Sequence, residues 1–192
     1  SVDASTVGNL DLDLIDESNS LLDDLKKNKF EIIFLLGQDN LDFKKKDEFI
    51  IYQGSHGDRG AEIADLILPG AAFTEQSGHY TNLEGKIQKA YKASYPPGEA
   101  KEDWQIINEL SALIKRKKLY SNKDELIDSM MNYLNLNKEN KNFVIPSYTF
   151  VKENINVEEI DYYHSNVIAR ASKTMNECKI SRENFKKTGT EN

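Results

Sequence analysis

At 192 residues, with 25 lysines and arginines against 32 aspartates and glutamates, the chain suits one domain with an appended tail and can bury a core. The net charge of −7 argues against a general nucleic-acid binder, which needs a basic surface to displace counterions from phosphates. No apolar run approaches the ~20 residues that span a bilayer, and the start, SVDASTVGN, shows no signal peptide, lacks Met and suggests a fragment.

In chain order, residues 1–29 join LDLDLIDE to LLDDLKKNK, and the second piece predicts a short helix with Leu21, Leu22 and Leu25 on one side. Three compact apolar runs follow: FEIIFLL (30–36), FIIYQ (49–53) and LILP (66–69). Each is short, nearly continuous and rich in β-branched or aromatic residues, the pattern of strands buried on both faces of a parallel sheet. About a dozen residues separate consecutive runs, so any helix between them is short. Loops at the carboxyl ends of such strands are where open α/β sheets place ligands, and the second run ends in GSHGDRG.

A polar, glycine-punctuated segment leads to Pro96-Pro97-Gly98, a turn that delivers the chain to a helix. Trp104, Ile107, Leu110 and Ile114 form its expected core stripe, flanked by Ile106 and Leu113, and the basic run KRKK suits its carboxyl end. A second amphipathic helix is expected from SNKDELIDSMMNYL, with Ser121 and Asp124 as a capping box and Leu126, Ile127, Met130, Met131 and Leu134 as its stripe. Together the two helices are expected to cover one sheet face. The fold class is therefore α/β, a small, largely parallel sheet flanked by helices over residues 1–134. Asparagine and lysine dominate from 135 to 192, which predicts an extended tail. Within it YTFVKENI reads as a strand, and DYYHSNVIARASKTM offers anchors for a partner or for the main domain.

The chemistry-bearing residues are few. A single cysteine, Cys178, excludes an internal disulfide and an iron–sulfur cluster held by this segment's own thiolates. Three histidines, His56, His79 and His164, supply a metal site poorly. Gly54, Gly57 and Gly60 recur every third residue, which is neither dinucleotide-binding nor Walker spacing. Such glycines permit a sharp turn and offer amides to an anion, and a tight turn without a ligand is the favoured reading. His56 and Asp58 are spaced for a mutual hydrogen bond, read as a structural loop pair rather than a general base. Glu75 and His79 have i, i+4 spacing, but the segment lacks helical periodicity and no metal is assigned there.

The stretch ADLILPGAAFTEQSGHYTNLEGKIQKAYKASYPPGEAKEDWQIINELS resembles the C-terminal part of molybdopterin oxidoreductase-like domains. Within that superfamily, FIIYQGSHGDRGAEIADLILPG, VGNLDLDL and DYYHSNVIARASKTMNEC are similar to segments of the large iron–sulfur subunit family of respiratory complex I, NADH:quinone oxidoreductase. The matches run in the family's order over nearly the whole chain.

In pterin-binding relatives the matching region helps hold the pterin dinucleotide through glycine-rich loops and an N-x-E-G-R-x-Q stretch. The resemblance thus makes Gly54, Gly57, Asp58, Asn82, Glu84, Gly85, Lys86 and Gln88 the candidates for a vestigial pterin cradle. Lys86 stands in place of arginine and loses the bidentate fork. Ser55 replaces a frequent second histidine, and His79 replaces a smaller residue. The complex I subunit keeps the fold without the pterin, so the resemblance implies no cofactor and no catalytic residue in this segment. Asn82 and Glu84 are then expected to satisfy backbone groups in the turn they open. Iron–sulfur clusters are expected in an N-terminal part upstream of this segment.

The implied function is a structural and assembly role in the large peripheral-arm subunit, which passes electrons from NADH through clusters to quinone while protons are translocated. The implied partners are other peripheral-arm subunits, at the cytoplasmic face of a bacterial inner membrane or the matrix side of the mitochondrial one. The alternatives are the dinucleotide-binding end of an active, formate dehydrogenase-like enzyme and a free-standing adaptor domain.

Overall fold

The three apolar runs become the strands of one parallel sheet. The computed structural model describes residues 6–15, 20–38, 44–140, 147 and 161–188. Strands β1 (Ile32–Leu36), β2 (Phe49–Gly54) and β3 (Leu66–Pro69) lie in the order β1-β2-β3. Residues Leu35, Tyr52 and Ile67 stand side by side across the sheet. Two short helices precede the sheet, α1 (Thr6–Asp11) and α2 (Ser20–Lys26), the second where LLDDLKKNK predicts it. The β2–β3 crossover carries only the five-residue helix α3 (Arg59–Ile63), as short as the spacing requires.

One sheet face forms the core. Leu35, Ile50 and Tyr52 are buried there against Ile33 and against Ala61, Ile63 and Ala64 of α3 and its end. The opposite face departs from the expected two-sided burial. Ile32, Phe49 and Leu66 remain 64%, 46% and 44% exposed, and Leu36 at the carboxyl end of the same face is 58% exposed. An apolar run therefore reports what a strand can bury, while the cover itself comes from elsewhere.

Beyond β3 the polar segment folds into an antiparallel hairpin that its composition does not reveal, β4 (Gly78–Thr81) with β5 (Ile87–Ala90). The Pro97–Ala100 turn then leads into α4 (Asp103–Lys115), and Lys115 ends it favourably for the dipole. The expected core stripe of α4 is only half realised. Ile107, Leu113 and Ile114 are 38%, 81% and 70% exposed, and the buried residue of the helix is Asn108. Asn108 Oδ1 accepts from the Leu119 and Tyr120 amides at 2.7 and 3.1 Å, and its Nδ2 donates to Tyr120 O at 2.8 Å. One side chain thus stitches the helix to the loop that leaves it.

Helix α5 (Lys123–Asn140) is capped one residue from the expected place. Asn122 Oδ1 accepts from the Glu125 amide at 2.9 Å, and Glu125 Oε2 accepts from the Ser121 amide at 2.7 Å. The Ser121–Asp124 box is replaced by this pair because the helix starts at Lys123. Leu134 is buried and Leu126, Ile127, Met130 and Met131 are partly buried, as the stripe requires. Its partners differ from expectation, however. Met130 and Leu134 face α1 and the hairpin across a cavity of about 180 Å³ lined by Leu12, Thr81 and Ile87, whereas α4 borders β3 through Ile106, Leu110 and Leu68.

The described residues from 135 onward add no strand to either sheet. Among them α5 continues to Asn140, and two helices, α6 (Val167–Ala171) and α7 (Lys173–Thr188), lie further along. Asn166 caps α6 by accepting from the Ala169 amide at 2.9 Å, which the lysine and asparagine content hides. The strand expected at YTFVKENI lies outside the described residues.

Candidate functional site at the carboxyl end of the sheet

The carboxyl ends of the three strands enclose a cavity of about 210 Å³, at the position where open α/β sheets collect ligands. Leu36 and Gly37 from β1, Gln53 and Gly54 from β2, and Ala71 after β3 line it, and Asp103 and Ile107 approach from the start of α4. Asp103 ties three segments together. Its Oδ1 accepts from Gln53 Nε2 at 2.8 Å and its Oδ2 accepts from Gln76 Nε2 at 3.1 Å. Gln53 is only 1% exposed, and placing its amide nitrogen toward a carboxylate fixes which way the side chain points.

The glycine-rich loop runs beside this cavity, and its spacing has a packing cause. A side chain at Gly60 would place a Cβ 2.8 Å from Gln38 O and from the Tyr52 ring, and one at Gly54 would meet the Tyr52 ring and hydroxyl. Tyr52 lies under the loop and donates from its hydroxyl to His56 O at 3.2 Å. Gly57, by contrast, has open space around it.

The expected His56–Asp58 hydrogen bond does not form. His56 Nδ1 pairs with Ser55 Oγ at 2.9 Å. Asp58 instead caps α3, its Oδ1 accepting from the Arg59 amide at 2.8 Å, and its Oδ2 accepts from Arg170 Nε at 2.6 Å. Burial alone raises the Asp58 carboxyl's affinity for a proton. The Arg170 hydrogen bond, the Arg59 amide and the positive charges of Arg170 and His164 outweigh it and hold Asp58 below the ordinary aspartate range. Arg170 and Asp103 carry no local sequence signal for these roles; Arg170 lies 112 residues from its partner.

The second candidate cluster, Asn82 to Gln88, occupies the β4–β5 hairpin. Asn82 supplies the side-chain acceptor of its turn. Asn82 Oδ1 accepts from the Glu84 and Lys86 amides at 3.0 and 2.9 Å, and Gly85 takes φ +79° to close the turn. Glu84 does not share the expected backbone role: its Oε2 meets only Asn82 Nδ2, at 3.5 Å. Lys86 and Gln88 are exposed, and Gln88 stands opposite Tyr80. Glu75 accepts from the Ala72 amide at 2.9 Å, and His79 lies opposite Lys89 in the hairpin, so each has its own local place. None of the described residues lining the 210 Å³ cavity comes from the hairpin. The structure therefore keeps Gly54, Gly57 and Asp58 together at the sheet and sets Asn82, Glu84, Gly85, Lys86 and Gln88 on a separate element.

Asn82→Ala is expected to destabilise the hairpin by about 1–2 kcal/mol, since two amides lose their acceptor. Faster hydrogen exchange at the Glu84 and Lys86 amides would register it, and unchanged protection there would contradict the assignment.

A three-stranded parallel sheet with a glycine-rich loop at its carboxyl end defines an α/β domain, and the chain belongs to the molybdopterin oxidoreductase family, whose model, "Molybdopterin oxidoreductase", matches residues 1–113. Over nearly its full length it is similar to the G subunit of the NADH-quinone oxidoreductase of Rickettsia bellii (strain RML369-C), with 43% identity covering 97% of this chain and 28% of the relative. It is also similar to the NADH-ubiquinone oxidoreductase 75 kDa subunit of Reclinomonas americana, at 38% identity over 91% of this chain and 27% of the relative. The mitochondrial NADH-ubiquinone oxidoreductase 78 kDa subunit of Candida albicans (strain SC5314 / ATCC MYA-2876) is 37% identical over 92% of this chain and 26% of its own length. The likeness to the large complex I subunit read from the motifs is borne out. The chain spans about a quarter of the length of these relatives.

Proposed function

We propose that this region is a scaffold of the large peripheral-arm subunit of an NADH:quinone oxidoreductase, contributing folding and subunit contacts and carrying no redox centre itself. The observation that carries the proposal is how the old cradle is filled. The space under the glycine loop is taken by the Tyr52 ring, and the loop's carboxylate is engaged by the Arg59 amide and by Arg170. The hairpin's Asn82 is turned onto its own backbone, and Lys86 lacks the fork of an arginine. These residues do not fit a pterin dinucleotide, and electron transfer is assigned to clusters elsewhere in the intact subunit.

The uncovered apolar residues Ile32, Phe49, Leu113 and Ile114 suit contacts with other peripheral-arm subunits or with the rest of the same subunit. Among the described residues no helix is long and apolar enough to cross a membrane. The likeness to complex I subunits supports a peripheral place, proposed to face the cytoplasm in a bacterium or the matrix in a mitochondrion.

Cofactor content of the purified full-length protein tests the proposal, with metals read by mass spectrometry and acid-released pterin by fluorescence on one sample. Iron without molybdenum, tungsten or pterin is the expected result. Stoichiometric pterin with molybdenum or tungsten would replace the scaffold by an active, formate dehydrogenase-like oxidoreductase.

A further inference from the structure

The cavity at the carboxyl end of the sheet has one wall that comes from outside the strands, the loops that leave them and α4. Val167, the first residue of α6, lines it beside Leu36, Tyr52 and Ile107. Three residues on, Arg170 reaches the glycine loop. Its Nε donates to Asp58 Oδ2 at 2.6 Å, and its Nη1 donates to His164 O at 3.3 Å, which braces the turn before the helix. Lys179 of α7 holds Asp161 at 2.7 Å, so the segment from 161 onward is organised within itself.

Asp58 is the joint between the two parts. One carboxylate oxygen caps α3, the helix that covers the sheet core, while the other receives the tail. Among the described residues the rest of the attachment is shallow. No described side chain of α6 or α7 is buried, and α6 packs chiefly on α7. A segment with little buried apolar area opens at low free energy, and one half-buried ion pair then sets a large part of the balance.

We propose that helices α6 and α7 form a strap over the carboxyl end of the sheet, latched by the Arg170–Asp58 pair, and that releasing this pair opens the cavity walled by Val167. The strap goes beyond the scaffold reading and holds whether or not the intact subunit carries a cofactor. It gives the glycine loop a present use: its aspartate, three residues past the cavity-lining Ser55, keeps the chain's own C-terminal segment in position.

Thiol accessibility tests the strap directly in the full chain. Ala71 lines the cavity and is 6% exposed, so Ala71→Cys places a buried thiol in the cavity wall, and glutathione added to the same sample serves as the reference thiol. Modification by a maleimide is read at position 71 by peptide mass mapping, separately from the exposed Cys178 of α7. Arg170→Gln and Asp58→Asn are each expected to raise the rate at position 71, relative to glutathione, by at least about tenfold. Asparagine at 58 still caps α3, so this variant separates loss of the latch from loss of the helix.

The double substitution is expected to do no more than either single one, because both break the same contact. Equal rates in all variants, or effects that simply add in the double variant, would overturn the proposal. Should Ala71→Cys prevent folding, Ser55→Cys lines the same cavity and is judged by the same two outcomes.

Discussion

Tyr52→Ala is expected to lower the unfolding free energy by about 3–5 kcal/mol, the cost of removing a large buried aromatic whose site cannot collapse. Tyr52 is 2% exposed on the central strand, packed with Leu35 and Ile50. Its ring also fills the space left by the absent side chains of Gly54 and Gly60. Truncation therefore leaves a void with backbone on one side and sheet on the other, and neither can move in without breaking strand pairing. Tyr52→Phe keeps the ring and loses only the hydroxyl that donates to His56 O, so about 1 kcal/mol is expected. Urea unfolding of the two variants separates the terms. A Tyr52→Ala loss under about 1 kcal/mol would mean that the ring is not the packing unit of the loop.

Asn108→Ala is expected to cost about 2–4 kcal/mol through lost hydrogen bonds rather than lost volume. At 7% exposure, Asn108 makes three bonds to the backbone of Leu119 and Tyr120. Removing it strands two amides and a carbonyl in a half-buried turn. Asn108→Leu restores apolar bulk but none of the three bonds, so it is expected to be no better than alanine. Asn108→Asp retains the acceptor, loses the donor and introduces a charge at a buried position, and is expected to fall at least as far. Amide exchange at Leu119 and Tyr120 reads the mechanism: both should accelerate in all three variants. A stable Asn108→Leu protein with those amides still protected would show that packing, not the bonds, holds α4 to its exit loop.

The legible part of the fold is the part written in neighbouring residues. FEIIFLL, FIIYQ and LILP each report a strand because burial acts on consecutive side chains, and their spacing leaves room only for the five-residue α3. The stripe of α5 is legible for the same reason, as one face of a helix buries every third or fourth residue. The hairpin was hidden because neither of its four-residue strands carries an apolar face; Asn82 and Gly85 shape it from the turn instead. In α4 the apolar spacing proved a poor guide because three hydrogen bonds make a polar residue, Asn108, the best-buried member of the helix.

The candidate site divides in the same way. Glycine spacing after β2 marked the loop, and the motif matches marked the family, both from short stretches of chain. What the aspartate in that loop does was decided only by closure of the fold. Asp58 has His56 two residues away, yet it bonds to Arg170, which is 112 residues distant. Gln53 and Gln76 likewise converge on Asp103 from separate segments. By itself the sequence determined the parallel strands, the absence of an internal disulfide and membership of the molybdopterin oxidoreductase family, because periodicity, composition and local motifs are properties of adjacent residues. Tertiary structure alone decided that Tyr52 fills the glycine loop and that the tail supplies its counter-charge, because a side chain bonds to whatever the folded chain brings within about 3 Å of it.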